Sequence, residues 1–262
     1  METVKRIWTR EETMLAFELY CTIPSSQVTV NNIHIKTLAK AIGRPANGVK
    51  MKLQNFKSLD PSYTADGRAG LSNTSKLDKE ICEAYLQNWS ALLIETEDIK
   101  NHYGLPTVES ANGDEIILHI AKDKAVTRKE RIGQAFFRKA LLATYNNKCC
   151  ITGISVIQLL RASHIKPWAK SNDINEKANP SNGLLLNALH DAAFDEGYIT
   201  ISSDYKIVVS PQILTSSEEN TAFFKQYNKQ SIAIPTRFKP KKEFITYHND
   251  VIFQRSSTCS TS

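Results

Sequence analysis

No stretch of this chain is apolar over the roughly 18–20 residues that a membrane span needs, and its start, Met1–Trp8, lacks a signal-peptide pattern. The expectation is a cytoplasmic protein with no membrane partner. Cysteine is sparse and odd in number: Cys21, Cys82, Cys149, Cys150 and Cys259. The adjacent pair Cys149-Cys150 cannot form an ordinary bridge with itself, and there is no Cys-x-x-Cys spacing. That argues against a disulfide framework and a four-cysteine site, so no structural zinc is expected. Acidic residues are missing altogether from Leu19 to Leu59, a stretch that holds Lys36, Lys40, Arg44, Lys50, Lys52 and Lys57.

What is present fits a folded protein of one or two domains. At 262 residues and 41% hydrophobic, the chain can bury a real core. Its net charge of +6 is modest, but the charge is concentrated. A second basic block runs from Lys122 to Lys148, where Lys and Arg meet only Asp123 and Glu130. Two such blocks favour a polyanionic partner.

The first segment reads as helical. Thr9 and Glu12 have capping-box spacing, and Met14, Leu15, Phe17, Leu19 and Tyr20 supply an apolar surface before Pro24. Ile35, Leu38, Ala39 and Ile42 place a second helix over 33–42, ended by Gly43. Pro45 opens a third, with Val49, Leu53 and Phe56 facing inward. Helix, glycine turn, helix is the outline of a helix-turn-helix, and Arg44, Asn47, Lys50 and Gln54 become candidate DNA contacts. The rival reading is a trihelical packing module with a basic face. Asp60 to Ser75 reads as loop, and Leu77 to Leu93 as one helix. A helix is also expected through Gly133–Tyr145, with Arg131, Gln134 and Arg138 sharing a face available to nucleic acid.

The chemistry centres on His164, in Arg161-Ala162-Ser163-His164-Ile165-Lys166-Pro167-Trp168. Asn182 opens Asn182-Gly183-Leu184-Leu185-Leu186, and His190 lies in Leu189-His190-Asp191-Ala192-Ala193-Phe194-Asp195. The intervening segments read as strand, loop, strand and short helix. A neutral imidazole has a free pKa of ~6.5 and can take a proton from water, the role given to His164. Asn182 can accept from one ring nitrogen and so orient the other, although Asn-Gly is also a common turn. His190 is the candidate ligand of a divalent ion that would offset phosphate and alkoxide charge. This reading requires the rings of residues 164 and 190 to share one scissile group. His34, His102, His119 and His248 lack such partners and read as ordinary surface or core histidines.

His164, Asn182 and His190, in that order, resemble the HNH nuclease family, whose ββα-metal fold gathers such side chains around one divalent ion. Cys149-Cys150-Ile151-Thr152-Gly153 and the Arg131–Arg138 helix are similar to segments preceding the motif in bacterial restriction-type HNH proteins. The resemblance covers about Arg128 to Ser210. It implies one metal ion, Mg2+ first with Mn2+ or Ni2+ as alternatives. Much of the family has a further ligand just before the base, where this chain has Ser163. Many of its members brace the motif with a zinc knuckle; without those cysteines, packing is expected to do so.

The expected fold class is α+β: a helical, helix-turn-helix-like domain over 1–105, a linker over 106–127, a nuclease domain with C-terminal extension over 128–255, and a disordered tail over 256–262. The expected function is metal-dependent hydrolysis of DNA in restriction or defence. A homodimer would allow cleavage of both strands. The alternatives are a DNA-binding regulator on a degenerate HNH fold and an RNA-cleaving or toxin nuclease.

Overall fold

A computed structural model describes residues 6–60, 74–108, 127–217 and 219–254. The loop expected after Asp60, most of the expected linker, His119, Cys259 and the 256–262 tail lie outside these ranges. The chain divides into two compact units: Met1–Thr144 with Asn172–Asn179, and Tyr145–Ser171 with Pro180–Ser262. Architecture is α+β, mostly helical, with two small antiparallel sheets.

The first unit is built from helices α1 (Arg10–Thr22), α2 (Ile33–Ala41), α3 (Ala46–Leu59), α4 (Lys76–Gln87), α5 (Trp89–His102) and α6 (Arg128–Thr144). The Thr9–Glu12 capping box forms as its spacing predicts. Gly43 takes φ 64°, a left-handed turn that lets α2 and α3 pack without a Cβ penalty. The single helix expected over 77–93 is two. Asn88 leaves the helical region at φ −151° and caps α5 through the Ala91 amide. Phe17 lies at the aromatic centre, with Phe56 edge-on at 5.0 Å, Tyr85 at 4.8 Å and Trp89 at 6.2 Å. Helix α6, expected at the head of the nuclease domain, packs on α1 and α5 within this helical unit. Its Phe136 lies 5.3 Å from Trp89.

Arg44 needs correction as a DNA-contact candidate. Its side chain is only 8% exposed and is occupied within the fold. Nε and Nη2 donate to Glu12 at 3.0 and 2.7 Å, while Nη1 and Nη2 donate to the carbonyls of Arg6 and Ile7. Burial alone would raise the Glu12 pKa, but Arg44, the Thr9 amide and Arg6 hold that carboxyl below its ordinary range. Lys52 is likewise withdrawn from the basic block, buried against Asp78 at 2.5 Å.

The second unit contains strand β1 (Leu160–His164) paired antiparallel with β2 (Gly183–Asn187) in the register Leu160–Asn187 to His164–Gly183. Helix α7 (Ala188–Asp195) follows β2 directly and packs on both strands. A second hairpin, β3 (Ile199–Ile201) and β4 (Ile207–Val209), stands beside α7. Short helices α8 (Pro211–Thr215) and α9 (Ala222–Lys225) precede the terminal α10 (Lys242–Val251), which packs on β3.

Phe194 anchors α7 by stacking on His248 at 3.8 Å. The His248 ring is buried between the Thr200 hydroxyl at 2.8 Å and the Phe194 carbonyl at 3.0 Å. Of the two readings left open by the sequence, surface or core, His248 takes the core one. Gly197 ends the turn after α7 at φ 74°, with the Ile252 carbonyl so close that an added Cβ would lie 2.2 Å from its oxygen.

Candidate active site

His164 closes β1, half-buried, with the Trp168 ring edge-on at 5.4 Å. A bond from the Ile165 amide to the Asn182 carbonyl, at 2.9 Å, extends the hairpin past His164. The Asn182 side chain, wholly buried, holds the turn that follows. Its Oδ1 accepts from the Lys166 amide at 2.9 Å, while Nδ2 donates to the Lys166 carbonyl at 3.1 Å and the Ser171 hydroxyl at 3.2 Å. Sequence reasoning expected this amide to orient the His164 ring directly. The bonds shown grip the Lys166 backbone, two residues from His164.

His190, the expected metal ligand, is deeply buried. It lies in the first turn of α7, 1% exposed, beyond the opposite end of the hairpin from His164. Those ends are four strand residues apart, about 13 Å at the usual rise. The Asn187 Oδ1 accepts from the Leu189 and His190 amides at 3.1 and 3.0 Å, capping the helix. The Asn187 NH2 faces His190 Nδ1 at 3.0 Å, and the Asn187 Oδ1 lies 3.2 Å from the same nitrogen, so the ring tautomer decides which of the two it bonds. His190 Nε2 is buried with no hydrogen-bond partner among the described residues. Phe223, Phe224 and Tyr227 surround the ring at 5.1, 5.5 and 5.3 Å. Burial pushes the His190 pKa down to about 4, so the ring stays neutral near pH 7.

The side chain beside β1 is Asp191. Burial raises its pKa, opposed by the nearby Ser163 hydroxyl and the Arg161 charge. Ser163 is 3% exposed, and its hydroxyl faces Asp191 without closing a hydrogen bond of ordinary length. Asp195 lies one turn further on the same helix face and reaches solvent. Burial, then the Asp191 and Glu196 charges, lift its pKa to about 6. Among the described residues no group of three or more His, Cys, Asp and Glu converges as a ready metal site. The donors that do suit a hard divalent ion are the two carboxylates, with the Ser163 hydroxyl turned toward one of them. Their i, i+4 spacing was the signal available in sequence.

Of the other candidates, Asn47 is exposed on α3, with Lys50 and Gln54 half-buried. On α6, Arg131 is exposed, and Gln134 and Arg138 are half-buried.

Residues 149–202 match the family model described as HNH endonuclease. The matched segment contains His164, Asn182 and His190, together with the hairpin and α7 that carry them. The second unit therefore contains a segment that matches the HNH endonuclease family, which suggests nuclease activity in general. No curated protein matches the chain. No helix among the described residues is long and apolar enough to cross a membrane.

Proposed function

We propose that this chain is an HNH endonuclease that hydrolyses DNA phosphodiester bonds, with His164 as general base. The observation that carries the reading is the family match over a β-β-α unit in which His164 ends a strand and is not fully buried. A neutral His164 ring takes a proton from water; the resulting hydroxide attacks phosphorus, and the bond to the 3′-oxygen breaks. Asn182 acts as a positioning residue by fixing the Lys166 backbone. Asp191 and Asp195, rather than His190, would hold the divalent ion, with Mg2+ first and Mn2+ or Ni2+ as alternatives. The bound ion would supply charge stabilisation at the phosphate and at the leaving oxygen. The two acidic groups already oppose each other's ionisation, and a cation would relieve that repulsion.

The helical unit is the proposed DNA-contacting part, through Asn47, Lys50 and Gln54 on α3 and Arg131, Gln134 and Arg138 on α6. A role in restriction or defence, and a homodimer able to cut both strands, complete the proposal. One observation favours the rival DNA-binding regulator: His190, the third motif residue, is sealed in the protein interior, so the requirement that its ring share one scissile group with that of His164 is not met.

The experiment is nicking of supercoiled plasmid with Mg2+, Mn2+ or Ni2+, comparing wild type with His164→Ala. We expect loss of roughly 100-fold or more in rate, the usual contribution of a general base. Equal nicking by both proteins removes His164 as the base, and no nicking by wild type with any of these ions favours the regulator. Parallel RNA substrates separate the RNA-cleaving alternative.

A further inference from the structure

We infer that Cys149, Thr152, Asn187 and His190 form a hydrogen-bonded brace at the β2–α7 junction, and that His190 is a positioning residue rather than a metal ligand. The Asn187 side-chain nitrogen has the Thr152 Oγ1 at 3.1 Å, the His190 Nδ1 at 3.0 Å and the Cys149 Sγ at 3.8 Å. An amide NH2 has two hydrogens, here shared among three lone-pair donors of different chemistry. Sulfur, oxygen and imidazole nitrogen converging on one electropositive centre is the pattern usually made around a cation, and the hydrogens of an NH2 group can stand in for one. Here the amide nitrogen occupies the centre.

The brace ties three chain segments together. Cys149 and Thr152 belong to a tight loop, in which the Thr152 amide donates to Cys149 Sγ at 3.5 Å and the Gly153 amide to the Cys149 carbonyl at 2.9 Å. The Cys150 amide pairs with the Leu185 carbonyl of β2 at 2.8 Å. Asn187 ends β2 and caps α7, and His190 is in the first turn of that helix. Phe223, Phe224 and Tyr227 pack around the ring, and Nε2 is buried with no hydrogen-bond partner among the described residues. This arrangement replaces the packing brace expected from the sequence. It also sets the helical phase of α7: with His190 locked toward the loop, Asp191, about 100° further round, is turned toward β1. That consequence rests on the proposed role of Asp191; the brace itself does not.

The direct test is nitrogen-detected NMR on 15N-histidine-labelled full-length protein. We expect an Nε2-protonated, Nδ1-accepting tautomer for residue 190, with no change in either ring nitrogen when Mg2+ is added. An Nδ1-protonated ring, or a ring shift that saturates with Mg2+, overturns the inference whether or not the protein cuts DNA. A second test converts the brace to thiolates with T152C/N187C/H190C, leaving Cys149 in place. If the four positions converge as described, this variant binds one Co2+ per chain with intense thiolate charge-transfer absorption and visible tetrahedral bands. A variant with native circular dichroism that shows neither refutes the convergence.

A third test uses Asn187→Ser, which keeps a capping oxygen but removes the amide. It should raise the Mg2+ concentration for half-maximal nicking about 10-fold or more with an unchanged maximal rate, as loss of groups orienting metal ligands does. A lower maximal rate at an unchanged Mg2+ requirement counts against the positioning role. Absence of nicking by wild type would sink the nuclease reading, leaving the NMR and Co2+ results to judge the brace.

Discussion

Lowering the pH to about 5 should loosen the second unit by an amount set by two buried histidines. His190 and His248 are each 1% exposed, and burial lowers both pKa values from 6.5 to about 4. The unfolded chain therefore takes up a proton first as the pH falls, so stability present above about 6.5 is lost progressively down to about 4. Each ring should cost about 2 kcal/mol by pH 5 relative to pH 7.5, and the pair about 4 kcal/mol. Asp195 works in the opposite direction, because its raised pKa stabilises the native state as it protonates below about 6; its contact with solvent weakens that offset. The assay is hydrogen exchange resolved to residues 188–209, read as opening free energy at the two pH values. His248→Gln should remove about half of the pH dependence, whatever it does to absolute stability. An unchanged dependence in that variant would refute the assignment of neutral, buried rings.

Three other outcomes follow from the geometry. Arg44→Ala should destabilise the helical unit by about 3 kcal/mol, near the low end for breaking a buried ion pair because Arg6 and Thr9 also serve Glu12; urea unfolding measures it. Gly197→Ala should cost about 2 kcal/mol or more, since φ 74° is strained for alanine and its Cβ would overlap the Ile252 carbonyl; a thermal midpoint unchanged within error contradicts this. Lys50→Ala with Gln54→Ala should weaken DNA binding and flatten its salt dependence by about one unit for the lost cation, whereas identical titrations would leave α3 as a packing helix.

Local signals were legible where the partners are close in sequence. The Thr9–Glu12 cap and the Gly43 turn both depend on neighbours within a few residues. The break at Asn88 was hidden because its flanks both have helical spacing, and only the cap to Ala91 reveals it. Arg44 looked like a surface cation because its partner, Glu12, is 32 residues away. The His164–Asn182–His190 spacing identified the family segment, but spacing carries no direction. The rotation that separates Asp191 from His190 was visible in the helical repeat; which of them faces β1 depends on the loop at Cys149–Thr152, brought in from elsewhere in the chain.

The stacking of Phe194 on His248 separates the boundary of the recognisable motif from the boundary of what can fold. Excising residues 149–202 would leave Phe194 without its companion ring and remove the Ile252–Gln254 backbone that flanks Gly197. A transplant meant to carry this HNH-like segment into another scaffold must therefore bring α10 with it, some forty residues beyond the last one by which a sequence search would recognise it.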